Sequence, residues 1–136
     1  MDHVKRSRTD LPETRSSRKR TCLLDLQRLA RMSCGNEERE SDRIITVTFN
    51  FLGSHLHVIN VYAPTSAANE TQSDKFYKDL KKVYTRLLKW DSSIIICGDF
   101  NAVVGCSSDD LPYVGGHGTG QRSDNGDRLV NFAKST

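Results

Sequence analysis

The stretch Ser92-Ser93-Ile94-Ile95-Ile96-Cys97-Gly98-Asp99-Phe100-Asn101-Ala102 constrains the fold more than any other part of the chain. A short, uncharged, β-branched run that is bounded by polar residues and closed by a glycine has the pattern of a strand buried on both faces. Gly98 lets the backbone turn at the carboxyl end of that strand, where open α/β sheets place their ligands. If the chain stays extended, Asp99 and Asn101 project to one side and Phe100 to the other. A carboxylate and a carboxamide then stand together at a sheet rim, a constellation suited to metal-assisted hydrolysis. The same four residues, Gly-Asp-Phe-Asn, equally suit an Asx turn that ends the strand by local hydrogen bonding.

The segment before this strand divides in two. Residues 1–42 read as a basic arm and linker, and residues 43–136 as a single modest domain. Met1 to Arg20 is polar, with Lys5-Arg6-Ser7-Arg8 and Arg18-Lys19-Arg20. It cannot bury enough apolar surface to offset its ordering entropy, so it is expected to be disordered. Its basic clusters suit a nuclear-import signal or a nucleic-acid arm, or simply a solvated tail. Thr21 suits a helix N-cap, with Cys22, Leu23, Leu26, Leu29 and Ala30 at helical spacing behind it. Ser33 to Asp42, with Gly35-Asn36 and four acids, reads as a linker.

Charge follows the same division. The net charge is +3, and Met1 to Arg31 carries nine basic against four acidic residues, whereas Ile44 to Thr136 carries nine of each. The body is therefore neutral, and non-specific attraction to phosphate belongs to the arm. Cys22, Cys34, Cys97 and Cys106 form no CxxC pair and no zinc spacing, and Cys97 reads as a small buried hydrophobe in the strand. A reducing, intracellular setting, nuclear or cytoplasmic, fits this usage. No apolar stretch reaches membrane-spanning length and the N-terminus lacks a signal-peptide core, so no membrane association is expected.

From Arg43 the pattern becomes regular. Ile45, Val47, Phe49 and Phe51 alternate with Ile44, Thr46, Thr48 and Asn50, and after Gly53-Ser54 the run His55 to Tyr62 completes a predicted β-hairpin. His55 and His57 share a face; such a pair can ligate metal but lacks neighbouring ligands and suits a half-exposed surface. Pro64 bars a longer strand. After a polar loop, Ser66 to Thr71, Ser73 is the expected cap of a helix. Its stripe is Phe76, Tyr77, Leu80, Val83, Tyr84, Leu87 and Leu88, with lysines 78, 81, 82 and 89 on the wet side. Hairpin, helix and Ile94–Cys97 strand form a β-α-β unit, whose crossover is expected to be right-handed. Val104 to Ser123 is a long glycine-rich loop, flexible enough around Gly115-Gly116-His117-Gly118-Thr119-Gly120 to wrap a backbone or phosphate. Ser123 or Asp124 then caps a last helix with Leu129, Val130, Phe132 and Ala133 on its apolar face.

These stretches occur together in a particular order. Ser41-Asp42-Arg43-Ile44-Ile45-Thr46-Val47 comes first, then Val58-Ile59-Asn60-Val61-Tyr62-Ala63-Pro64, then Phe76-Tyr77 with Leu80, then Gly98-Asp99-Phe100-Asn101-Ala102. With His117-Gly118-x-Gly120 and Asn125-Gly126 followed by Leu129 and Phe132, the pattern resembles the endonuclease/exonuclease/phosphatase superfamily. Within it, the chain is most similar to the endonuclease of non-LTR (LINE-type) retrotransposons and the craniofacial development protein 2-like proteins related to them. The resemblance begins at about Ser41.

The resemblance implies an α/β sandwich of mixed sheets flanked by helices, and Mg²⁺-dependent cleavage of phosphodiesters, with Mn²⁺ a substitute. DNA is the implied partner. On matching positions, Asp99 would orient and deprotonate the attacking water and approach the metal through water. Asn101 would help hold that water and the phosphate, and Tyr62 would lie beside the scissile phosphate. His117, Arg122 and Asn125 are the implied substrate-binding residues. The family's N-terminal Asn and metal-binding Glu have no counterpart in residues 1–42, where Glu37, Glu38 and Glu40 lie in hydrophilic sequence. The family's later Asp and its Ser-Asp-His are also missing. The expectation is a fragment or decayed copy, α/β in class, with little or no hydrolytic activity alone and open sheet edges that promote self-association. The competing expectation is a catalytically dead remnant that binds nucleic acid through its basic arm, serves as an interaction protein, or does nothing specific.

Overall fold

In a computed structural model, residues 36–51, 53–89 and 92–136 are described. They form strands β1 (Asn36–Ser41), β2 (Ile44–Phe51) and β3 (Ser54–Tyr62), helix α1 (Glu70–Leu87), strand β4 (Ser92–Asp99), a 3₁₀ turn (Ser108–Asp110) and helix α2 (Asp124–Lys134). The strands make one four-stranded sheet in the order β1-β2-β3-β4. β1, β2 and β3 run antiparallel in turn, and β4 lies parallel to β3 after the α1 crossover. This is an α/β fold, as the sequence pattern predicts. The expected basic tail and the helix behind Thr21 lie outside the described residues.

Alternation along the strands sorts side chains to two faces. Ile44, Ile59, Val61 and Ala63 from the sheet meet Phe76, Leu80 and Val83 of α1 and Phe132 of α2 in one core. Ile94, Ile96 and Phe100 pack against the same cluster. Each Ile, Leu or Phe buried here contributes roughly 1.5–3 kcal/mol, which is what holds α1 and α2 on this face. Tyr77 and Tyr84 of α1 meet Phe132 of α2 with ring centroids 6.2 and 6.3 Å apart.

Several local expectations need correction. The predicted linker over Ser33 to Asp42 contains a strand: β1 pairs with β2 from Asn36↔Thr48 to Ser41↔Ile44, with an irregularity between Arg39 and Ser41. Its sequence, Asn-Glu-Glu-Arg-Glu-Ser, carries no apolar alternation because an edge strand with exposed side chains needs none, and charge protects such an edge. Glu38 and Glu40 bind Arg86 on α1, the first at 2.9 Å.

The second correction concerns the start of α1. Asn69, not Ser73, is the N-cap: its side chain accepts from the Gln72 N–H at 2.8 Å, and Glu70 occupies the first turn. Ser73 is buried one turn inside the helix. Both residues have cap chemistry, and the sequence does not rank them. For α2 the two candidates resolve in favour of Ser123, whose hydroxyl accepts from the Gly126 N–H at 3.1 Å.

The third is β4 itself, which is not buried on both faces. Ile94 and Ile96 pack on the core, but Ile95 between them is 51% exposed. β4 stands last in the strand order, and α1 and α2 cover the other face. Cys97 is half-buried rather than sealed inside. On the hairpin, His57 is buried, not half-exposed, with Nδ1 2.9 Å from the Thr48 hydroxyl.

Candidate functional site

The parallel strands β3 and β4 end together. Tyr62 and Asp99 are partners in the parallel register, and the Ala63 N–H donates to the Asp99 carbonyl at 2.9 Å. Just before this point Gly98 has φ 132°, and a Cβ there would lie 2.0 Å from the Val61 carbonyl oxygen. The strands can approach this closely only because position 98 has no side chain. Asp99 is thereby held at the rim with its carboxylate exposed.

Beyond Asp99 the chain makes the Asx turn that was one of the two readings of Gly-Asp-Phe-Asn. The Asn101 N–H donates to Asp99 Oδ1 at 2.9 Å. Asn101 takes φ 46°, a left-handed conformation that Asn tolerates better than most residues. Its Nδ2 donates to the Ala63 carbonyl at 2.8 Å, which ties the turn back to the end of β3. Phe100 points the other way into the core. The turn and the site constellation are therefore one object, since the local hydrogen bond orients the carboxylate.

Asn125 secures this arrangement from α2. It is 5% exposed, and its Nδ2 donates to the Pro64 carbonyl at 2.9 Å and to the Asn101 carbonyl at 3.1 Å. Its side chain thus joins the ends of β3 and of the Asp99–Asn101 turn to the first turn of α2. Tyr77 Oη, 3.4 Å away, donates to the Asn125 carbonyl, and burial pushes the Tyr77 phenol up to about 12, with Arg128 opposing.

An open groove of about 680 Å³ lies over the turn, and its lining includes Thr65, Ser66, Asp99, Asn101, Val104 and Leu129. Tyr62 stands beside Asp99 through the strand register, with the Arg43 guanidinium 5.7 Å from its ring centroid. One Arg43 nitrogen also donates to the Tyr62 carbonyl at 3.4 Å. Arg43, Thr65 and Ser66 are polar groups at this rim that spacing did not single out. The signal for Arg43 was its place just before β2, which the hairpin register carries to the end of β3.

Arg122 has a full set of protein partners. Its Nε donates to the Val104 carbonyl at 2.7 Å, and its terminal nitrogens lie 2.6 Å from Asp110 and 3.6 Å from Asp127. Lys134 lies 2.5 Å from the other Asp110 oxygen. Hydrogen bonds from Lys134 and then Arg122 hold the Asp110 carboxyl below its ordinary range, and Asp110 in turn raises the Arg122 guanidinium. His117 sits on the exposed part of the same loop and does not line the groove. The structure thus brings Asp99, Asn101, Tyr62 and Asn125 together, sets Arg122 behind the groove wall, and leaves His117 apart.

The Mg²⁺ implied by the resemblance needs a donor set. Among the described residues no three His, Cys, Asp or Glu side chains gather at a metal-binding spacing, and Asp99 is the one carboxylate at the groove. Magnesium is commonly held by one or two carboxylates together with waters and substrate phosphate oxygens, and Asp99 is the residue that would hold it here. Glu38 and Glu40 stand at the far edge of the sheet, bound to Arg86.

No protein-family model matches the chain. Over 94 residues it is 40% identical to craniofacial development protein 2 of Bos taurus, a match covering 68% of this chain and 15% of that protein. The same span is 38% identical to craniofacial development protein 2 of Tragulus javanicus, covering 68% of this chain and 16% of that protein. The chain therefore spans about 15% of the length of the curated relatives it matches. Over this segment the chain is similar to craniofacial development protein 2.

Proposed function

We propose that this chain carries the central part of a phosphodiester-cleaving site of the LINE-type endonuclease kind, with DNA as its substrate and Mg²⁺ or Mn²⁺ as its cofactor. On this reading the segment hydrolyses weakly or not at all until other residues complete the site. The observation that carries the reading is the Asp99–Asn101 turn, presented beside Tyr62 at the carboxyl ends of two adjacent strands.

The chemistry follows from which groups are occupied. Asp99 accepts one hydrogen bond through Oδ1, from the Asn101 N–H, which fixes the carboxylate plane. The exposed carboxylate is a base able to take a proton from water in the groove. Tyr62, paired with Asp99 in the strand register, carries a phenol able to donate to an oxygen gaining charge. Arg43, over the Tyr62 ring, brings a cation to the same rim, suited to a phosphate oxygen. A divalent ion, when bound, would supply charge neutralisation to the phosphodiester.

Asp99 is the one carboxylate at the groove among the described residues, and the second reading is a segment that binds nucleic acid without cutting it. Nicking of supercoiled plasmid by the purified chain with Mg²⁺, beside Asp99→Ala and a chelator control, separates the two. Nicking that disappears in both controls establishes that the retained residues act as an endonuclease. Folded protein that binds DNA but does not nick supports the inactive reading. Folded protein that neither binds nor nicks overturns both.

A further inference from the structure

The two edges of the sheet differ in chemistry. β1, at one edge, carries four charged side chains in six residues, the protection that edge strands ordinarily have. β4 is the other edge among the described residues, and it reads Ser-Ser-Ile-Ile-Ile-Cys-Gly-Asp. No charge or proline interrupts it before its final residue. It pairs with β3 along its whole length, from His55↔Ser92 to Tyr62↔Asp99. Its alternate N–H and C=O groups therefore point away from β3. Ile95 is 51% exposed, and Ser93, Gly98 and Asp99 are exposed as well. An open, uncharged, β-branched edge is the pattern that recruits another strand.

We propose that β4 is a dimerisation edge, pairing antiparallel with β4 of a second copy of this chain across a two-fold axis perpendicular to the sheet. The occupant must be extended, uncharged and β-branched. The other such runs among the described residues, β2 and β3, already have a strand on each side. Ser92 to Gly98 remains, and a two-fold axis makes an antiparallel edge its own complement. The axis keeps the helices of both copies on one face of a continuous eight-stranded sheet.

Directly opposite residues share a face, so the axis passes at a residue rather than between two. Centred on Ile96, Asp99 opposes Ser93 and Ile95 opposes Cys97, with no like charges facing. This register extends apolar contact across the joint and sets the two copies of Asp99 at opposite ends of it.

The test is sedimentation velocity of the full chain across micromolar concentrations, beside Ile95→Lys. Ile95 is half exposed, so the lysine is tolerated by the monomer. The expected result is a reversible monomer–dimer equilibrium in the parent chain, weakened at least tenfold by the lysine, since one charge on each copy meets an apolar edge. Amide exchange of the parent chain at two concentrations gives a second reading: Ile94 to Gly98 gains protection with concentration while β1 does not. A monomer at every concentration, a dimer indifferent to Ile95→Lys, or protection gained at β1 instead would overturn the proposal.

Discussion

Asp110 gives one carboxylate oxygen to Arg122 at 2.6 Å while its other oxygen meets Lys134 at 2.5 Å. A single acid thus fastens the glycine-rich loop to the last turn of α2. Arg122 passes the constraint on through its 2.7 Å hydrogen bond to the Val104 carbonyl, and Val104 is part of the groove wall over Asp99. The long loop that the sequence offers as a wrap for phosphate has an internal anchor.

That anchor has a pH signature. The Asp110 carboxyl is held below its ordinary range by hydrogen bonds from Lys134 and Arg122. In the unfolded chain an Asp titrates near ~3.9. The stabilisation is therefore fully present above that value and is lost as pH falls through the lower folded value. Asp110→Asn should lower the melting temperature at neutral pH and flatten the acid limb of stability below pH ~4. Thermal melts from neutral to acid pH check this; parallel acid limbs in parent and variant would dismiss the anchor.

Gly98→Ala should be among the most damaging single substitutions in the chain. The added Cβ would sit 2.0 Å from a backbone oxygen of β3, where no side-chain rotation relieves it, at a φ of 132° that L residues rarely adopt. A cost of about 3 kcal/mol or more is expected, which in a domain of this size lowers the melting temperature by over ~10 °C. Circular dichroism melts decide it, and a shift of only ~2 °C would mean that β3 and β4 separate readily at their carboxyl ends.

Much of this arrangement is legible in the residues themselves. Alternation from Ile44 to Tyr62 marks the hairpin, the stripe from Phe76 to Leu87 marks α1, and the apolar run before Gly98 marks the parallel strand. Asp99 and Asn101 are legible as a pair because their spacing puts them at a strand end. Other features depend on information that local pattern lacks. β1 has no alternation because both its faces are wet, and its identity comes from pairing with β2. The exposure of Ile95 depends on what covers each sheet face, which a run of three isoleucines cannot reveal. The partners of Arg122 and Asn125 lie as far as Val104 and Pro64 in sequence, so their hydrogen bonds are visible only after folding.

Asp99 and Asn125 should separate activity from stability. Asp99 is exposed, and Asp99→Ala removes one hydrogen bond from the turn, so folding should change by no more than about 1 kcal/mol. Asn125→Ala strips donors from the Pro64 and Asn101 carbonyls in a buried place and should cost about 2 kcal/mol. Urea denaturation of both variants measures the difference. Equal costs would mean that the Asn125 carboxamide does not brace the turn.

Tyr77 offers a spectroscopic reporter of the same brace. Burial against α2 pushes its phenol up to about 12, and the nearby Arg128 only partly opposes this. The folded protein therefore keeps this proton at a pH where an unfolded tyrosine, near ~10, has released it. Stability contributed by the neutral phenol is complete below the unfolded value and declines as pH rises from 10.0 toward about 12. An absorbance titration of tyrosinate in folded protein should show one late step, and Tyr77→Phe should remove that step. The phenol donates only a 3.4 Å hydrogen bond to the Asn125 carbonyl, so the same variant should change neutral-pH stability by less than about 1 kcal/mol. If the late step persists in Tyr77→Phe, another tyrosine is the shielded one and α1 does not close over Asn125 as the geometry requires.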